Sequence, residues 1–441
     1  MNSAFLRLHK LSTPIFISYL VGVVFAFADD AIIGRYNIES YAAVIVIGSV
    51  VYYIIGAIGT FSVSLSLNGA SLLKEKDYKT YEKLFNTTLY IGLLLSFVFI
   101  AITYLFAKEI VNYFFSTNEQ VLAIAIDYLQ VISLSFPLNV LIFTFSSYFK
   151  TAEKPGALVY ASTFSALTNV AVNYLLVFGV CGFPRLGATG IAIGTIAGLS
   201  VSLSLYLFYF KKQNKIKVRY LFCREQAKIV LQSFSILFTQ ELFEYSLFYF
   251  LLLGVISQSG VANTSIYGIL STIFSILIMY AYSYGNALII LARKESSNPV
   301  YLMRMLKISL MSFLCLYLVY TFFLSFLGEQ VPALITNDVD IYSSTANFIV
   351  IFSVSQLFIG IATILRYYLN GASLEKFVLK TCCVVCSLSG FLIYFVDHFY
   401  SLPFTTVLAM FTATYVLLSI IFYYKVLEIN RIPVALYRDN I

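Results

Sequence analysis

Apolar residues run through this chain in long stretches separated by short polar and basic connectors. Twelve stretches reach the roughly twenty residues that a helix needs to cross a bilayer. They fall near residues 11–35, 41–73, 84–107, 122–149, 156–178, 186–210, 229–256, 261–292, 302–327, 341–369, 376–396 and 402–425. Several are longer than a crossing requires, which predicts tilt or extension beyond the lipid. The ten-residue alternation of a transmembrane barrel is absent. The predicted fold is therefore an all-α membrane protein of twelve transmembrane helices. The first stretch is long enough to span and is followed by no small-residue cleavage site, so it is expected to stay as a helix.

Composition agrees: 60% of residues are hydrophobic and 11% charged, with a mean hydropathy of +0.88. A soluble fold of 441 residues could not cover that much apolar surface with so few charges. Trp is absent, so Tyr and basic residues must build the interfacial belts. With the N-terminus placed in the cytoplasm, all but three of the 28 Lys and Arg fall on cytoplasmic segments; Arg35, Lys108 and Arg185 are the exceptions. Arg366 is counted here at the inner end of the tenth span. This asymmetry predicts an even number of spans in the cytoplasmic membrane, with both termini cytoplasmic. It also explains the net charge of +7 without nucleic acid.

The basic connector at mid-chain divides the sequence into an N-lobe of helices 1–6 (1–212), a cytoplasmic linker (213–228) and a C-lobe of helices 7–12 (229–441). The linker is expected to be a solvated loop facing lipid headgroups. At an offset of 220, Gly34 matches Gly254, Gly48 matches Gly268, Lys74-Glu75 matches Lys294-Glu295, and Tyr148 matches Tyr368. Two six-helix lobes in the same orientation predict a parallel repeat with a cavity between lobes that rock around it. No GxxxxGK[ST] loop is present, which argues against a nucleotide-driven pump. A pore would more naturally come from symmetric subunits or a filter loop.

Polar residues inside the spans are the candidate chemistry. Asp29 and Asp30 are adjacent in the first span and point about 100 degrees apart on a helix, so both should not face one cavity equally. They either meet an ion or proton or cap the helix end in water. Asn169 and Asn173 share a face of the fifth span. Their amides either coordinate a cation or hold helices together. The sixth span opens with small residues from Gly187 to Gly194, and Thr195 adds an oxygen. In the seventh span Gln240 and Glu244 share a face, with Glu241 at its edge, as a cation or proton site or a structural hydrogen-bond cluster. Tyr280, Tyr282 and Tyr284 either wall a cavity or pack at the lipid interface. Pro14 and Pro137 interrupt the first and fourth spans. Cys382, Cys383 and Cys386 read as small apolar filler, since no His or acid accompanies them in their span. His9 and His398 lie apart from any nucleophile cluster, so no enzymatic site is visible.

Several segments together resemble the multidrug and toxic compound extrusion (MATE) transporters, within the larger group of polysaccharide and lipid flippases. The first span, from Leu11-Ser12-Thr13-Pro14 to Asp29-Asp30-Ala31-Ile32-Ile33-Gly34-Arg35, is similar to the family's opening helix, where an acid precedes the Gly-Arg pair by five residues. That register selects Asp29. Tyr148-Phe149-Lys150 to Pro155, Asn169 to Asn173, and Pro184-Arg185-Leu186-Gly187-Ala188-Thr189-Gly190 resemble its central block. Phe243-Glu244-Tyr245 and Leu365-Arg366 are similar to its seventh- and tenth-helix motifs. The resemblance implies an antiporter that exports drugs or amphipathic metabolites, organic cations among them, by alternating access driven by H⁺ or Na⁺ influx. It implies coupling sites at Asp29, Asn169 and Asn173, with Thr195, and at Glu244, and no cofactor beyond Na⁺. Many members carry an acid where Asn173 stands, and some carry one near Ser355-Gln356; fewer ligand charges weaken Na⁺ binding. The expected partners are a small-molecule substrate and the bilayer, with the protein a monomer. The alternative is a flippase for lipids or lipid-linked oligosaccharides, which would need cations in its cavity to meet pyrophosphate.

Overall fold

A computed structural model describes residues 2–115, 119–213, 215–219, 222–259, 261–295, 298–335 and 338–431. Among these residues the chain is helical throughout, without strands. The helices are α1 (Asn2–Gly34), α2 (Ile38–Lys74), α3 (Tyr78–Leu105), α4 (Ala107–Phe115), α5 (Glu119–Ser133), α6 (Phe136–Thr151), α7 (Gly156–Phe178) and α8 (Ala188–Gln213). They continue as α9 (Arg224–Glu241), α10 (Phe248–Gln258), α11 (Val261–Lys294), α12 (Pro299–Leu327), α13 (Val339–Gly371), α14 (Glu375–Tyr400) and α15 (Phe404–Arg431). Eleven helices are long and apolar enough to cross a membrane, and twelve if the bent pair α5–α6 counts as one span. Each falls on one of the twelve apolar stretches.

Two spans are not straight rods. The fourth bends by 41° between α5 and α6. Leu134 and Ser135 close a tight turn there, their N–H groups donating to Val131 O at 3.1 Å and Ile132 O at 2.9 Å. Pro137 follows in the first turn of α6, where its missing N–H costs nothing. Pro14, by contrast, sits within a continuous α1. The seventh span runs from α9 to α10 through a π-helical turn, Leu242–Leu247, that contains Glu244.

The described chain packs as two compact units: Ile17–Phe238, and Met1–Phe16 together with Thr239–Ile441. The boundaries thus cut through α1 and α9 rather than falling at the connector of 213–228. The cause is local. Backbone groups of the connector are hydrogen-bonded to side chains of α3: Glu82 accepts from Lys217 N at 3.0 Å, and Asn86 Oδ1 accepts from Arg219 N at 2.9 Å. The segment expected to be a solvated linker therefore belongs to the first unit.

The two units share a packing pattern. In the first, α2 packs on α5 and α6, which pack on α8; in the second, α11 packs on α13, which packs on α15. The ends of α2 and α11, Lys74 and Lys294, keep the offset seen in the sequence. The most extensively packed pair is α7 with α8. Gly190, Gly194 and Gly198 form a stripe one turn apart on α8 that admits the α7 backbone. A Cβ at Gly198 would lie 2.7 Å from Ser165 O and 3.0 Å from Asn169 Cβ. Gly22 on α1 has nothing within 4 Å of the same position.

Alanine at these two glycines is therefore expected to act in opposite senses. Gly198→Ala should destabilise the purified protein by about 1–3 kcal/mol through overpacking. Gly22→Ala should stabilise it by about 0.5–1 kcal/mol through helix propensity. Thermal unfolding in detergent checks both signs.

Candidate functional site

Close approach of α7 and α8 decides what the asparagines can do. Asn173 is fully buried, and its Oδ1 is wedged against Gly194, where any Cβ would collide with it. Its amide is thereby fixed in orientation, and Nδ2 donates to Asp29 Oδ1 at 2.7 Å. Asn173 Oδ1 itself has no hydrogen-bond partner. One turn earlier, Asn169 Nδ2 donates to Thr195 Oγ1 at 3.3 Å, and Thr195 donates to Ile191 O at 3.0 Å. The fold thus brings Asp29, Asn169, Asn173 and Thr195 together within the first unit.

Both Asp29 and Asp30 line a cavity of about 440 Å³ bounded by α1, α2, the bent fourth span and α8. The two adjacent acids thus line one and the same cavity. The helix α1 continues past both acids to Gly34. Ile33, one turn further along, is fully buried in an apolar cluster with Val44, Ile47 and Ile191. Among the described residues, neither acid is in an ion pair, and no Lys or Arg lines the cavity.

Sequence reasoning did not find the rest of this lining. Tyr52 of α2, Tyr128 of α5, and Ser135 and Asn139 at the bend complete it. An isolated Asn two residues after Pro137 was the available signal. The tyrosines gave none among 35.

The seventh-span acids lie in the second unit and have a different environment. Glu244 and Arg366 are each 2% exposed, and Arg366 Nη1 donates to Glu244 Oε2. Arg366 Nη2 lies 3.8 Å from Glu241 Oε1. Gln240 Oε1 accepts from Asn370 Nδ2 at 3.1 Å, and Gln240 Nε2 donates to Glu375 O at 3.0 Å. Cys382 Sγ reaches Glu244 Oε2 at 3.6 Å. Arg366 lies near the end of α13, as the charge count had it, but is buried rather than solvated. It is an internal counter-ion, one turn before Asn370 on α13. The sequence shows Glu244 and Arg366 but not that residues 122 apart meet.

Tyr280 and Tyr284 are also in the second unit. Tyr284 is 1% exposed, so it lines no open space. Its hydroxyl is 2.9 Å from His9 Nε2 and 3.2 Å from the Tyr280 hydroxyl. Phe16 stands edge-on to Tyr280 at 5.0 Å. The first half of α1 is thus fixed within the second unit.

Removing one partner of the buried pair strands the other charge. Arg366→Gln and Glu244→Gln are each expected to cost about 3–5 kcal/mol. The double variant should lose clearly less than the two losses combined. Thermal unfolding of the three purified variants measures this coupling.

The MatE family model matches residues 14–175. Multidrug export protein MepA of Staphylococcus saprophyticus is 23% identical over 372 residues, 82% of this chain and 80% of that protein. "Probable multidrug resistance protein YoeA" of Bacillus subtilis is 24% identical over 239 residues, 52% of this chain; the match spans about half, 51%, of that protein. Among solved structures, an outward-facing multidrug resistance MATE family transporter of the MOP superfamily superposes with a TM-score of 0.87 at 16% identity, covering 96% of this chain and 95% of that one. A MATE in complex with MaL6 gives 0.86 at 15% identity, covering 97% and 98%. At such identity these two establish a shared twelve-helix fold. Taken with the family model over residues 14–175 and the sequence relatives, they make the chain similar in sequence and fold to MATE multidrug transporters.

Proposed function

We propose that the protein is a secondary antiporter that exports drugs or amphipathic metabolites, with Asp29 as the coupling site. Asp29 and Asp30 carry no built-in counter-ion among the described residues, and this is the feature on which the proposal rests. A carboxylate inside a membrane protein is costly unless neutralised. Glu244 is neutralised permanently by Arg366. The charge on Asp29 can be neutralised only by something that arrives and leaves: H⁺, Na⁺ or a cationic substrate.

The surroundings of Asp29 suit such exchange. Asn173 Nδ2 donates to the ionised carboxylate, so the charged form is held in place when unoccupied. Asn169 and Thr195, bonded to each other beside Asp29, add polar groups that a small cation could use. With one or two charged ligands rather than three, H⁺ is favoured over Na⁺ as the coupling ion. Tyr52 and Tyr128 beside two acids fit an organic cation. The names of the relatives MepA and YoeA point to drug export as well. We place the protein in the cytoplasmic membrane with both termini inside, from the Lys and Arg asymmetry. Ion binding drives alternating access only if the two conformations bind the ion differently. A flippase for pyrophosphate-linked lipids fits less well, because no cation lines the cavity.

Vesicle efflux of a cationic dye under imposed pH or Na⁺ gradients tests the proposal. Asp29→Asn should insert normally and lose gradient-driven efflux. Glu244→Gln paired with Arg366→Gln should keep it wherever the double variant folds. Retained gradient-driven transport in Asp29→Asn excludes Asp29 as the coupling residue.

A further inference from the structure

A second groove lies in the first unit, outside the candidate site. It encloses about 600 Å³ between α3, α6 and α8, and every helix side chain along it is apolar until its end. Leu203, Leu207 and Lys211 line it at successive turns of α8. It therefore runs with the helix axis for about 12 Å. Its floor is rigid. Phe210 stacks on Phe85 at 5.5 Å and meets Phe145 edge-on at 5.1 Å, and both Phe210 and Phe145 line the groove. Preformed apolar clefts with a few placed polar groups are the usual form of a small-molecule site.

The polar groups stand at one end. Lys211 closes the groove from α8, and Lys217 closes it from the connector. Lys217 is held there by more than chain connectivity. Glu82, Asn86 and Tyr90, one turn apart on α3, each bond to the connector backbone. Lys217 N donates to Glu82 at 3.0 Å, Asn86 Nδ2 donates to Lys217 O at 2.9 Å, and the Tyr90 hydroxyl donates to Arg219 O at 3.2 Å. Cys223 N adds a bond to Thr87 Oγ1 at 3.1 Å. An exposed loop needs no such strapping to connect two helices.

Charge then selects the occupant. Arg219 beside the mouth is paired with Glu82 at 3.6 Å, and Lys215 lies over the Tyr78 ring at 5.5 Å. Among the described residues, neither Lys211 nor Lys217 forms an ion pair. An apolar trough lying along a membrane-spanning helix, ending in two uncompensated ammonium groups where that helix stops, matches one chemistry: an alkyl chain carrying an anionic head. A soluble anion has no use for the trough, and a zwitterionic lipid has less use for the lysines.

We propose that this groove is a specific site for an anionic phospholipid, with one acyl chain along α8 and the phosphate between Lys211 and Lys217. The site is independent of the coupling role given to Asp29.

Native mass spectrometry of the purified full-length protein tests it, with phosphatidylglycerol and phosphatidylcholine titrated from mixed micelles. Phosphatidylglycerol should be retained in preference. Lys211→Gln and Lys217→Gln should each weaken its retention about fivefold, the gain expected per lysine near an anionic headgroup. The exposed pair Lys10→Gln and Lys154→Gln serves as a charge-matched control and should leave retention nearly unchanged. Leu207→Trp, which fills the trough and keeps both lysines, should also displace the lipid. Equal retention of the two lipids overturns the proposal. So does undiminished phosphatidylglycerol binding in the Lys211/Lys217 double variant, or displacement by glycerol phosphate as effective as by the lipid, which would mark a plain anion site.

Discussion

Ionised carboxylates placed within a membrane-embedded helix bundle must be neutralised, and this chain meets that constraint in two ways. In the second unit a guanidinium is built in: Arg366 binds Glu244 and approaches Glu241, and all three are held by the α9–α10 span and α13. In the first unit no such cation is present among the described residues, and Asp29 is met by the neutral amides of Asn173 and Asn169. One buried carboxylate thus carries a fixed guanidinium partner, and the other has only neutral amides.

Packing makes that geometry possible. The glycine stripe of α8 lets α7 approach until Asn173 Oδ1 rests on Gly194, so the amide has one orientation and points its N–H toward α1. Neighbouring α1 comes close to other helices at only a few points. Besides the buried stripe of Ala4, Leu8, Leu11 and Ile15, polar contacts hold it: Asp29 to Asn173 in one unit, and His9 to Tyr284 and Arg7 to Glu295 (2.9 Å) in the other. Protonating Asp29 would alter its bond to Asn173 directly.

The bend in the fourth span and the π-helical turn in the seventh fall at the two polar sites. The bend carries Ser135 and Asn139 into the lining of the Asp29 cavity, and the π turn carries Glu244. In membrane helices, irregular backbone persists where protein or a polar cavity surrounds it rather than lipid. Pro137 announced the first irregularity in the sequence. Pro14, equally visible, left α1 continuous. Nothing in the run around Glu244 announced the π turn.

Helix number, span positions and the internal repeat were legible in the sequence, because lipid demands about twenty apolar residues per crossing and internal satisfaction of every backbone hydrogen bond. The residues around Asp29 were legible too: intramembrane polar groups are expensive and stand out against leucine and phenylalanine. Tertiary structure alone decided which of those groups meet. Glu244 and Arg366 are distant in the chain, so their pairing depends on how α13 packs against the seventh span. Tyr52 and Tyr128 are two tyrosines among many until α2 and α5 enclose a cavity with α1. The connector of 213–228 looked like a boundary because it is polar and basic. Its place in the first unit was set by side chains of α3 more than a hundred residues away, and local composition holds no record of such contacts.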